Sequence, residues 1–342
     1  MRKIILSAIF LLCFVSLFTF AAGTEETVTS ETVEGPQYGG ELTIWSHRFQ
    51  SSEPPNPSID AGVYSGLMWL DWIQERPVAG DLETYGPRGT NEYGFTLYYG
   101  IPDKYLTGTL AEKWEVNIDK LVFTVRQGVM WHDVPNVMTD GPREMTADDF
   151  ARDLIEFWES PWNSRFDGII KDIYVSDEWE VTIEIDQFTH ALLYYVGYED
   201  RALISPPEQA VAGNDQWENQ VGTGPWMFEE YLPGTQMSLV RNPDYWKTTN
   251  IDGDEYKLPF IDRVVLPIIP DEGTQVAALR SGGLDFYNLM PRAHWQTLDT
   301  QNPDLKSVSY NTGRNEAFQP RLDEPPGNNL LVRRALNIGT DR

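Results

Sequence analysis

The sequence predicts an α/β protein with more than one core, and three observations carry that expectation. At 342 residues the chain exceeds the roughly 250–300 residues at which a single core stops growing. Segments alternating apolar and polar residues, the period of a half-buried strand, are interleaved with segments whose apolar residues recur at helical spacing. The opening MRKIILSAIFLLCFVSLFTFAAG has a basic start at Arg2 and Lys3, an apolar stretch from Ile4 to Phe20, and the small residues Ala21-Ala22-Gly23. That layout is an export signal. Its apolar run is almost long enough to span a bilayer, so cleavage after about residue 23 and retention as an anchor both stay open. Cys13 is the only cysteine. Leu12 precedes it and FVSLFTF follows, which does not fit a lipoprotein signal. Once the signal is removed no thiol remains, and the exported fold must rest on burial without disulfides.

Residues 24–37, TEETVTSETVEGPQ, carry no aromatic residue and little apolar content, as expected for a disordered tether. ELTIW (41–45) is the first strand expected, followed by the turn-rich loop SHRFQSSEPPNPS and a helical segment from Ala61 to Ile73. From Gln74 to Thr107 the chain is irregular and rich in Gly, Pro and Tyr. LAEKWEV and LVFTVRQGVMW then read as paired strands around a turn at 117–120. MTADDFARDLIEFWES is an amphipathic helix, with Thr146 and Asp149 spaced like a capping box and Phe150, Leu154, Phe157 and Trp158 along one stripe. WEVTIEID is another strand. MFEEYL and QMSLVRN are two strands joined by a Pro233-Gly234 turn. IDRVVLPIIP is a strong apolar strand, TQVAALRSGG a helix ended by Gly282-Gly283, and LDFYNLM a short strand. The last segment, NNLLVRRALNIGTDR, opens a helix capped at Asn328 or Asn329, with Leu331, Arg334, Ala335 and Ile338 on one face.

A formal charge of −26 repels nucleic acid and anionic lipid, so neither is an expected partner. His47, His132, His190 and His294 are far apart in sequence and lack ligand spacing, so no metal site is expected. The acidic NIDGDE (250–255) puts Glu255 where a calcium loop of the EF-hand type needs Gly, and a solvated turn fits it better. Gly222-Thr223-Gly224 lacks the lysine of a phosphate loop and leads into a strand. No serine sits in a nucleophile elbow. Twelve tryptophans leave a carbohydrate-active hydrolase as a competing class, although no ordered acid/base pair marks one.

Four blocks, met in order, resemble one family. LTGTLAEKWEV, LVFTVRQGVMWHD and MTADDFARDL form the first, and VGTGPWMFEEYLPGTQMSLVRNPDYWK the second. IDRVVLPIIPDEGTQVAALRSGGLDFYNLM is the third, and VRRALNIGTDR the fourth. Together they resemble the bacterial extracellular solute-binding proteins of family 5, the peptide/nickel class serving ABC importers. The resemblance runs from Gly39 to Arg342. It implies a two-lobed, flytrap-like periplasmic-binding fold of type II with an extra α+β domain in lobe I. It places lobe I at 38–65 and 189–271, the extra domain at 66–188, and the start of an incomplete lobe II at 272–342. On this reading the chain is truncated, and apolar surface between Val264 and Ile338 is left partly uncovered. VPNVMTDGPRE is longer than the family's usual turn, and FQPRLDEPPGNNLL replaces its Asn-x-x-x-x-Pro-Phe pattern.

The resemblance also implies a function: a monomer at the periplasm or cell surface that closes on a small solute and presents it to a membrane permease. No bond is made or broken, and no cofactor is required. The expected ligand is an oligopeptide or dipeptide, with an oligosaccharide as the alternative; His47 keeps nickel-type ligands open. Ligand contacts are expected from Trp45, Ser46, His47, Arg48 and Phe49 after the first strand, from Tyr287 and Asn288, and from Tyr310. Arg48 would hold a carboxylate, and Trp45 would stack on a sugar.

Overall fold

Two sheets and the polar junction between them organise the chain in its computed structural model, which describes residues 35–46, 70–96, 100–160, 166–199, 202–310 and 319–340. The expected export signal, residues 24–34 of the tether, and the loop from His47 onward lie outside the described residues, as does the first part of the helix expected from Ala61. Numbered in chain order, the first strands are β1 Glu41–Trp45, β2 Val78–Gly80, β3 Leu106–Gly108, β4 Ala111–Val116, β5 Lys120–Val125, β6 Ile170–Asp177 and β7 Glu180–Ile185. The later ones are β8 Trp226–Leu232, β9 Gln236–Arg241, β10 Thr248–Ile251, β11 Asp254–Lys257, β12 Arg263–Pro267 and β13 Phe286–Tyr287. The helices are α1 Leu82–Tyr85, α2 Ala147–Glu159, α3 Pro207–Ala212, α4 Glu272–Arg280, α5 Arg292–Gln301 and α6 Leu330–Gly339.

The first sheet is antiparallel, in the order β4-β5-β7-β6. Alternation in β5 puts Leu121, Phe123 and Val125 on its buried face, as strand geometry requires. Helix α2 covers this face, burying Phe150, Leu154 and Phe157, with the Phe123 and Phe150 rings edge to face at 5.6 Å. Its start is the expected capping box: Thr146 Oγ1 accepts from the Asp149 amide and Asp149 Oδ2 accepts from the Thr146 amide. Strand β6 was not foreseen. Its register shifts at Ile170/Asp172 and Val175/Asp177, and such irregularities erase the period of two that would announce it. The acidic stretch 250–255 is the tip of the β10–β11 hairpin. Asp252 and Gly253 hold φ of 55° and 100° there, a turn suited to a tight hairpin.

The second sheet has the order β13-β1-β12-β9-β8. Strand β1 lies between β12 and β13, parallel to both. The strand–helix–strand unit β12–α4–β13 thus returns to the sheet it left. The sheet continues past Glu272 through Tyr287, because parallel neighbours need such a crossover. Val264, Val265 and Leu266 are buried, since β12 is interior to the sheet. Exposed apolar side chains begin later, at Phe286, Leu289, Val308, Leu331 and Ile338. Helix α6 is capped by Asn329, whose side chain accepts from the Leu331 amide, and none of its residues is buried.

Residues 73–75 pass between the two cores. Ile73 belongs to the core of the second sheet, and Val78 to that of the first. Between them the Glu75 carboxylate is buried and accepts three hydrogen bonds: from Tyr245 Oη at 2.9 Å, Trp246 Nε1 at 2.8 Å and Thr223 Oγ1 at 3.0 Å. Burial pushes its pKa up, while the three donors and the Lys247 charge pull it back. Gln74 Nε2 meets Gln209 Oε1 and the Val221 carbonyl. Gly222 and Gly224 fit against the helical end at Ile73 because neither carries a side chain. A Cβ at Gly222 would stand 1.9 Å from the Ile73 carbonyl oxygen, and one at Gly224 2.6 Å from it.

His132 completes the junction. Its Nδ1 accepts from the Gly222 amide at 3.3 Å, which leaves Nε2–H to donate to the Gly224 carbonyl at 2.9 Å. Burial lowers its pKa to about 4, opposed by the Gly224 hydrogen bond. A folded pKa below the ordinary 6.5 means that its contribution to stability is complete above pH 6.5 and is lost as the pH falls toward 4.

Glu75→Gln turns an amide donor toward groups that are themselves donors, and should lower the unfolding free energy by about 2 kcal/mol in urea titration; Gly222→Ala should cost more. The His132 imidazole should stay neutral until about pH 4, as read from its ring nitrogen shifts by NMR. The residue-specific signal is needed, because burial pushes Asp153 up to about 7 and its protonation has the opposite effect on stability over the same window.

Candidate functional site

In sheets with parallel strands, ligands meet the crevice beyond the carboxyl ends of those strands. Here the ends of β1 and β13 bring together residues 242 positions apart in sequence. Ile44 is in register with Phe286, and Trp45 with Tyr287. Backbone bonds extend the pairing on both sides, with the Asp285 amide donating to Thr43 O at 2.9 Å and the Asn288 amide to Trp45 O at 3.1 Å. The Asp285 side chain accepts from the Thr43 amide at 2.8 Å. Leu289 follows at φ 60°, a region that branched L-residues seldom enter, so the chain turns away at the strand end.

The rings of Trp45 and Tyr287 stack at 4.2 Å with 28° between their planes. Their polar atoms point into the protein. Trp45 Nε1 donates to the Ile269 carbonyl at 3.3 Å, and Tyr287 Oη donates to Gln275 Oε1 at 2.6 Å. Gln275 Nε2 in turn donates to Ile269 O at 2.6 Å. Burial, and then the charge of Glu272, push the Tyr287 hydroxyl pKa upward. Glu272 is held by His294 Nε2 at 2.6 Å, which ties α4 to α5.

Of the residues expected at the site, Trp45, Ser46, Tyr287 and Asn288 come together. Trp45 and Ser46 are buried, at 6% and 1% exposure, and Tyr287 and Asn288 are half-buried. Trp45 therefore backs the Tyr287 ring. His47, Arg48 and Phe49 lie outside the described residues. Tyr310 is exposed, and no hydrogen bond or ring contact among the described residues joins it to the pair. Gln275 and the Ile269 carbonyl were missed: nothing in TQVAALR marks its glutamine, and a backbone acceptor leaves no trace in sequence.

Other places offer less. A groove of about 340 Å³ lies between α2 and β6, lined by Asp148, Ala151, Arg152, Ile155, Glu156, Tyr174 and Val175. Its cation, Arg152, is committed to Asp153 and Glu156, each at 2.6 Å. In the Gly222–Gly224 passage the Gly222 amide is spent on His132 and the Gly224 amide on Ile73 O, so neither is free for a phosphate. No group of three or more His, Cys, Asp or Glu among the described residues is placed to hold a metal ion.

Residues 106–342 match the family model of bacterial extracellular solute-binding proteins, family 5 Middle. The chain belongs to that family. Family 5 relatives include the oligopeptide-binding protein AppA of Bacillus subtilis, 23% identical over an alignment of 370 residues that takes in 100% of this chain and 58% of that protein. Heme-binding protein A of Haemophilus influenzae is 25% identical over 265 residues, 68% of this chain and 44% of that protein. The chain thus spans about half the length of the curated relatives it matches. Among solved structures, the dipeptide-binding protein of Pseudoalteromonas sp. SM9913 in complex with Met-Leu superposes with a TM-score of 0.61 at 20% identity. That match covers 87% of this chain and 56% of that one. MoaA from A. tumefacien R10 in complex with mannopinic acid gives 0.61 at 20%, covering 88% and 55%. These likenesses establish the α/β periplasmic-binding fold of type II.

The stacked pair generates one prediction. Trp45→Ala should cost about 3–5 kcal/mol of unfolding free energy, the usual price of emptying a buried tryptophan site, measured by denaturant titration.

Proposed function

We propose that this family 5 chain serves in an exported solute-binding protein that takes up a peptide and delivers it to the permease of an ABC importer. The observation that carries this reading is the aromatic pair at the carboxyl ends of β1 and β13, with its hydrogen-bonding atoms turned inward. Peptide side chains vary, and a surface that offers ring rather than directional donors tolerates that variation. Relatives named as oligopeptide-binding and di/tripeptide-binding proteins support the same ligand class.

The division into lobes belongs to this proposal. Lobe I comprises the segments at 38–65 and from 189 onward, now carried through β13; the extra domain holds 66–188, and lobe II begins beyond Asn288. Two lobes of this kind close on a solute by hinge motion. On this proposal the protein binds its solute without catalysis. The carboxylates that burial pushes upward, Glu75 and Asp153, are both buried and hydrogen-bonded within the protein, so neither recommends itself as an acid facing a substrate. Oligosaccharide uptake loses its main residue, because Trp45 is covered and cannot offer a face to a sugar.

The test is to purify the signal-free protein, denature it, and identify the released solute by mass spectrometry. Peptides of mixed sequence are expected; a single oligosaccharide series would overturn the peptide assignment. Tyr287→Ala should weaken recapture of those peptides by about tenfold, the equivalent of one good aromatic contact.

A further inference from the structure

The stacked pair is held by a closed circuit of side chains. Trp45 Nε1 and Gln275 Nε2 share one acceptor, the Ile269 carbonyl, at 3.3 and 2.6 Å. Gln275 Oε1 accepts from Tyr287 Oη at 2.6 Å, and the two rings close the loop by stacking at 4.2 Å. Gln275 bonds both the Tyr287 hydroxyl and the carbonyl that holds Trp45. It is 5% exposed and projects from α4, the helix that joins β12 to β13. A carboxamide suits the position because a single planar group supplies a donor and an acceptor. An apolar side chain of similar size would strand the Tyr287 hydroxyl and release the ring.

We infer that Gln275 is the positioning residue of the Trp45–Tyr287 platform, and that this positioning makes the subsite select apolar or aromatic solute side chains over acidic ones. The inference rests on the proposed solute-binding function. Its physical basis is what the circuit leaves outside. Trp45 is 6% exposed and Tyr287 half-buried, so solvent reaches the pair through Tyr287, whose hydroxyl is already bonded to Gln275. An aromatic ring is electron-rich on its face, and the Glu272 carboxylate is close enough to act on the Tyr287 hydroxyl through its charge. An arriving carboxylate would lose water and meet negative potential. An aromatic side chain would lose little hydration and gain a stacking surface. Freed of Gln275, Tyr287 could turn its hydroxyl outward, and the subsite would then hydrogen-bond polar groups without this preference.

Calorimetric titration of solute-stripped protein with the tripeptides Ala-Phe-Ala and Ala-Asp-Ala tests the inference. Wild type should favour the first by about three- to tenfold, the worth of one aromatic contact. Gln275→Leu should bring the ratio near one. Tyr287→Phe keeps the ring and has no hydroxyl to turn outward, so it should keep the preference; Gln275→Ala, which also frees that hydroxyl, stands in if Gln275→Leu fails to fold. A wild-type ratio near one, a preference that the Gln275 variants keep, or its loss in Tyr287→Phe overturns the inference. Should wild type bind neither tripeptide, the peptide reading fails, and near-ultraviolet circular dichroism decides the positioning by itself. The spectral difference between wild type and Trp45→Phe reports the stack. Its disappearance in Gln275→Leu upholds the role of Gln275, and its persistence overturns it.

Discussion

One buried carboxyl group bridges the two sheets. Glu75 has left water for the protein interior, which is costly for a carboxylate unless hydrogen bonds replace its hydration. The three that do come from Thr223, Tyr245 and Trp246. Thr223 lies in the glycine passage leading to β8, and the two aromatics follow β9. A carboxylate is indifferent to much, but removing one donor would leave it under-solvated, so the bonds enforce one another. The glycine passage can approach because Gly222 and Gly224 present no Cβ to the Ile73 carbonyl, and His132 occupies the remaining polar atoms in a single tautomer. Trp246 adds a cation–π contact with Arg126 at 4.6 Å, linking the junction to the end of β5.

From that junction the site follows by geometry. Strands β8, β9 and β12 build the sheet outward from the anchored passage, and β1 adds alongside β12. The crossover through α4 then delivers β13 to the far side of β1. Two strand ends separated widely in sequence thereby finish at the same level, and Trp45 meets Tyr287 as an in-register pair. The loop after β12 and the first turns of α4 lie under the pair and supply the acceptors for its polar atoms. Site and scaffold therefore share residues: the helix that closes the sheet also orients the ring.

Much of this was legible in the sequence. Strands with a clean period of two, such as β5 and β7, and the capped helix α2 were visible from local pattern, because local pattern is what forms them. Trp45, Tyr287 and Asn288 could be singled out as a set only through the family resemblance, since no local signal joins residues so far apart. Strand β6 was hidden by its bulges. Helix α5 was hidden because Pro291 opens it and its residues RAHWQTLDTQ show no strong apolar stripe. The continuation of the sheet past Glu272 was hidden because a crossover helix and a new domain look alike until the returning strand is paired. Gln275, Glu75 and Ile269 were invisible for a common reason: each acts through a partner fixed by tertiary structure.

Where the solute touches the protein is the central claim, and hydrogen exchange measured by mass spectrometry tests it most directly. Solute-stripped protein would be compared with the same protein reloaded with the solute released from it. Slowed exchange concentrated in fragments containing Trp45–Ser46 and Phe286–Asn288 is the predicted result. Protection confined to the groove between α2 and β6, with the ends of β1 and β13 unchanged, would contradict it.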